Sequence, residues 1–86
     1  MRWTVTWKPA AQHDLAEIWL RSLHRRVITM ATAEVERLLL RDPLGIGESR
    51  ELNERVLIVF PLGIRYQVHQ DDVLVSVQEI WTIIDV

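Results

Sequence analysis

Cysteine is absent from the sequence, which excludes disulfides and thiolate metal sites, and nothing in the chain calls for an oxidising compartment. Lysine is almost absent: Lys8 stands against nine arginines, a bias that suits bidentate contact with carboxylate or phosphate. A basic excess is missing too. The formal net charge is −2, whereas a nucleic-acid-binding domain usually carries a surplus of cations. No run approaches the ~18 apolar residues that span a bilayer, and "MRWTVTWKPA" does not read as a signal peptide. A soluble, cytoplasmic protein with no membrane contact is the expectation. His13, His24 and His69 are scattered without metal-ligand spacing, so no metal and no cofactor is expected.

What the chain does have is apolar bulk and uneven charge. Hydrophobic residues make up 49% of the 86. That is enough for one core in a chain that buries roughly 60–65% of its unfolded surface, so residues 1–86 are expected to form one domain. It also leaves apolar surface for a partner to cover. Residues 1–41 carry seven basic and four acidic groups, a net of +3, and residues 42–86 carry three and eight, a net of −5.

The periodicities give an α+β order. "RWTVTW" alternates, with Trp3, Val5 and Trp7 on one face, as a half-buried strand does. Pro9 suits the first turn of a helix, and Ala11, Leu15, Ile18, Trp19 and Ser22 or Leu23 form its stripe. A second helix is expected from about Val27 to Arg41, with Val27, Ala31, Val35 and Leu38 on one side, ended by Asp42-Pro43. One continuous helix would be roughly 50 Å long, too long for so small a domain, so a hairpin is expected to bend near Ser22–Arg26. "PLGIGESRELNE" is turn-rich, with room for a short edge strand around Arg50–Leu52. "RVLIVF" reads as a central strand, "PLG" as a turn, "IRYQVH" as an alternating strand, and "QDD" as a further turn. In the last strand, "VLVSVQEIWTIIDV", the odd positions are apolar except Glu79, which calls for a buried carboxylate or a β-bulge. The order is β-α-α-β-β-β: a two-helix hairpin packed on a mostly antiparallel sheet.

The pieces "WKPAAQHDLAEIW", "RDPLGIGESREL" and "RYQVHQDDVLVSV", followed by "QEIW", resemble the RelE/ParE family over nearly the whole chain. These are plasmid-stabilisation-type toxins of bacterial type II toxin–antitoxin systems. The resemblance implies a cognate antitoxin that wraps the toxin with an extended or helical segment. It also implies either a protein target such as DNA gyrase or ribosome-dependent mRNA cleavage.

Cleavage at a 2′-hydroxyl needs a base, a stabiliser of phosphate charge and an acid. Aligned through Tyr66-Gln67-Val68, the family's strand arginine falls at Gly63. Arg65 lies two residues on, on the same face but about 7 Å away. Trp81, Thr82 and Ile83 stand where a basic cluster is expected. The reading is therefore a ParE-like toxin that binds a protein target, with no full nuclease set and no enzyme activity required. The alternatives are an mRNA interferase using Arg50, Arg55 and Arg65, and a non-toxic binding module or homodimer. Tyr66, Trp3, Trp7 and Trp19 are expected in the core, and Arg65 is expected to pair with Glu79 or Glu51. Trp81, Arg25 and Arg26 are the candidates for partner contact, Arg25 and Arg26 as a solvated bend between the helices.

Overall fold

The computed structural model describes residues 2–84. Its elements are β1 (Thr4–Trp7), α1 (Pro9–Arg21), α2 (Arg25–Arg41), β2 (Glu48–Ser49), β3 (Glu54–Val59), β4 (Leu62–His69) and β5 (Leu74–Thr82), with a 3-10 turn at Gln70–Asp72. The sheet runs β1-β5-β4-β3-β2. Only the β1–β5 pair is parallel among the described residues, and the other three pairs are antiparallel. This is the expected α+β arrangement, a helical hairpin on a mostly antiparallel sheet. The edge strand forms two residues earlier than predicted, at Glu48–Ser49.

One face of the sheet carries the core. Leu62, Ile64, Tyr66 and Val68 of β4, Val75, Val77 and Ile80 of β5, and Leu57 of β3 are buried against the helices. Ala11 and Ile18 of α1 and Ile28, Ala31, Val35 and Leu39 of α2 meet them. The predicted α2 stripe is off by one residue at each end, because Val27-Ile28 and Leu38-Leu39 offer adjacent apolar residues that helical spacing alone does not separate. Nor does "PLG" form the turn. The β3–β4 hairpin closes through Phe60-Pro61, whose peptide is cis, and Gly63 lies inside β4.

The bend between the helices falls at Ser22–His24 without glycine or proline, and α2 begins at Arg25. Arg25 stabilises it. Its Nε donates to the Trp19 carbonyl at 3.0 Å and its Nη2 to the Leu20 carbonyl at 2.9 Å. These carbonyls belong to the last turn of α1, which leaves such acceptors without helical partners.

A second tie fixes the connection from α2 to the sheet. Arg55 and Tyr66 sit opposite each other across β3 and β4 on the core face. The fully buried Tyr66 hydroxyl donates to the Pro43 carbonyl at 2.8 Å and lies 3.1 Å from that of Ile46. Arg55 donates to the carbonyls of Ile46, at 3.0 Å, and Gly47, at 3.3 Å. Gly47 has a positive φ of 71°, and a Cβ there would stand 2.8 Å from the Val56 carbonyl oxygen and 3.0 Å from the Tyr66 hydroxyl. Only glycine lets the loop close this tightly.

Burial pushes the Tyr66 hydroxyl above its ordinary range, and nearby Asp42 adds to this, while the Arg55 guanidinium pulls the other way. A raised tyrosine pKa stabilises the fold below the unfolded value, about 10, and that contribution is lost as pH rises through the folded value. Tyr66→Phe is expected to cost about 1–3 kcal/mol in urea denaturation at pH 7, because it removes the buried hydrogen bond to the Pro43 carbonyl. The variant should also lose part of the wild-type decline in stability at strongly alkaline pH.

Candidate functional site

The face of the sheet away from the helices holds Glu54, Val56 and Ile58 of β3, Gly63, Arg65, Gln67 and His69 of β4, and Leu74, Ser76, Glu79 and Trp81 of β5, by strand alternation and register. Glu79 belongs there because of a β-bulge. Arg65 pairs with Glu79 but Tyr66 pairs with Val77, so Gln78 is the extra residue. Beyond it the parity of β5 reverses: Ile80 joins the core, and Trp81 turns to the open face, not to the face of Val75 and Val77 as simple alternation predicts.

Arg65 is therefore placed between two carboxylates. Its Nη1 lies 2.8 Å from Glu54 Oε2 and its Nε 3.3 Å from Glu79 Oε1. Glu79 was an expected partner; Glu54 takes the place of Glu51. Arg55 points to the opposite face, held by loop carbonyls. Arg50 lies outside the strands, where it pairs with Glu48 at 3.1 Å. The three arginines thus do not converge on one surface. Among the described residues no cluster of three His, Asp or Glu side chains could hold a metal ion; His13 pairs with Glu17 at 3.2 Å.

Gly63 has its own physical role. Its cross-strand partner is Trp81, and a Cβ at position 63 would stand 2.4 Å from the indole Cε2 and Nε1. The ring packs directly against the bare glycine backbone, a close approach that any side chain would block. Ile58 flanks Gly63 on the other side, so this end of the face is apolar.

A second feature lies between the helices. A groove of about 750 Å³ is lined by Trp7, Gln12, Leu15, Ala16, Trp19, Leu20, Ile28, Thr29, Thr32, Ala33 and Glu36. Each end is closed by a tryptophan. The Trp7 indole donates to Glu36 Oε1 at 3.1 Å, and the Trp19 indole donates to Thr29 Oγ1 at 3.2 Å. Trp19 is 40% exposed, so it is a groove wall and not the core residue the stripe suggested, and Trp7 is only half-buried. The Arg25 guanidinium stacks 4.6 Å from the Trp19 ring. Arg26 is exposed in the first turn of α2. The groove is a feature the sequence reading missed. Its signal was the small residues beside each core stripe, Ala16 on α1 and Thr29, Thr32 and Ala33 on α2. No described helix is long and apolar enough to cross a membrane.

No family model matches the sequence, and no curated protein matches it. Solved structures do match by shape. A chain of the RelBE2 toxin–antitoxin complex from Mycobacterium tuberculosis superposes with a TM-score of 0.78 at 19% identity, over 95% of this chain and 99% of that one. A chain of the chromosomal ParDE toxin–antitoxin system from P. aeruginosa gives 0.71 at 17% identity, over 95% and 97%. The likeness shows the fold: this chain has the RelE/ParE-type toxin fold.

Gly63→Ala is expected to destabilise the fold by about 1–3 kcal/mol in denaturant titration, because the methyl group displaces the Trp81 ring. In a Gly63→Ala/Trp81→Ala cycle the two changes should be coupled by at least about 0.5 kcal/mol. Additive effects would show that the ring does not rest on the glycine.

Proposed function

We propose that the chain is the toxin member of a toxin–antitoxin pair, and that an antitoxin segment occupies the groove between α1 and α2. The groove carries this reading. It is apolar and open, and walled by two tryptophans, a residue type that anchors partner interfaces. Its volume is in the range of about 300–1,000 Å³ typical of ligand pockets. The two structural neighbours come from toxin–antitoxin systems.

For the target we propose a protein, in the manner of ParE and with gyrase as the first candidate, rather than cleavage of ribosome-bound mRNA. The supporting observation is the state of Arg65. Two carboxylates hold its guanidinium, and their combined charge leaves the site anionic, a poor place for the extra negative charge of a phosphoryl transition state. Arg50 and Arg55 lie elsewhere and do not offset it.

Induction of the chain alone is expected to arrest growth with intact mRNA and activated DNA-damage signalling, and the product of the adjacent open reading frame should relieve the arrest. Ala33→Arg, which fills the groove wall, should leave the arrest in place while weakening antitoxin binding by about 2 kcal/mol, roughly thirtyfold in Kd. Codon-positioned mRNA cuts that disappear in Arg65→Ala would overturn the protein-target reading.

A further inference from the structure

We infer that the segment filling the α1–α2 groove is an amphipathic helix that lays carboxylate side chains over Arg25 and Arg26, at the hairpin end of the groove. This rests on the reading of the groove as the partner site. A helix fits the length of the groove. The tryptophan closures fall on Thr29 and Glu36, seven residues apart on α2, or about 10 Å at ~1.5 Å per residue. That length takes two helical turns, with apolar side chains at i, i+3 or i+4, and i+7 reaching the floor. Ala16, Thr32 and Ala33 keep the walls low enough for another backbone to come close.

The charges fix which end of the occupant is acidic. From Ile18 to Ala33 the chain contains no Asp or Glu but holds Arg21, Arg25 and Arg26. Arg25 is bound to carbonyls and stacked on Trp19, so its charge has no counter-ion. Arg26 makes no ion pair among the described residues, and it shares a helical face with Ala33, seven residues on, which lines the groove. Farther along, Arg37 is paired with Glu34, its Nε 2.9 Å from Oε2. At the far end the charge is Glu36, held by the Trp7 indole. The groove is therefore cationic at the hairpin and anionic at β1. An apolar segment that covered Arg25 and Arg26 without supplying carboxylates would strip water from two unpaired cations, a cost that discriminates between partners.

The test uses two 18-residue synthetic helical peptides with the same leucine stripe over two turns, one with three Glu at one end and the other with three Lys there. Their Kd values for the whole chain are measured by fluorescence anisotropy at low and moderate salt. The Glu peptide should bind at least tenfold more tightly, the gap should narrow as salt rises, and Arg26→Glu should reverse or abolish the preference. Equal affinities that Arg26→Glu leaves unchanged would overturn the charge inference while the groove reading stands, provided Ala33→Arg weakens both peptides. Failure of both peptides to bind would count against the groove as a partner site, and the inference would fall with it. A chain that sediments as a dimer broken by Ala33→Arg would make a second copy the occupant and would also overturn it.

Discussion

One inserted residue sets both faces of this sheet. Val75 and Val77 must be buried at the start of β5 and Ile80 farther along it, and a strand of strict period two cannot bury all three. The bulge at Gln78 resolves the conflict by shifting the parity. The open face is built from the same shift: Glu79 arrives beside Arg65, and Trp81 arrives over Gly63. Without the bulge a carboxylate would face the apolar core and the arginine would lose a counter-ion. The packing requirement of the core thus dictates the electrostatics of the opposite surface.

The helical side follows from a different constraint. α1 and α2 bury one stripe each against the sheet and leave a second, small-residue strip on each helix unfilled. Two tryptophans line the space between them, each tied to α2 by an indole hydrogen bond. The result is an apolar groove with arginines at its hairpin end and Glu36 at the other. The fold is shared with the two structural neighbours, whereas the arginines at the hairpin belong to this sequence.

The arrangement of elements was legible in the sequence because alternation, helical stripes and Asp42-Pro43 each act locally. The Glu79 anomaly was legible as well, as one of two physical alternatives, of which the bulge is the one observed. What stayed hidden depended on pairing between distant residues. Trp7 and Trp19 fit apolar patterns, yet both border a groove, because the rotation of α1 sets what Trp19 meets and Trp7, at the end of β1, reaches α2 rather than the core centre. Gly63 reads as a turn residue beside Pro61, and only its register opposite Trp81 reveals why it lies in a strand. Arg55 and Arg65 look like neighbours in a basic set, but their cross-strand partners place them on opposite faces.

Arg25 carries a consequence of its own. A helical hairpin without glycine or proline relies on this side chain to close the end of α1, and the same guanidinium forms the cationic end of the groove beside Trp19. Under the proposed reading of the groove, hairpin closure and partner discrimination draw on this one residue. Under that reading a change in the partner's charge would be matched at Arg26, which makes no ion pair among the described residues, because replacing Arg25 would also remove the two hydrogen bonds that close the end of α1.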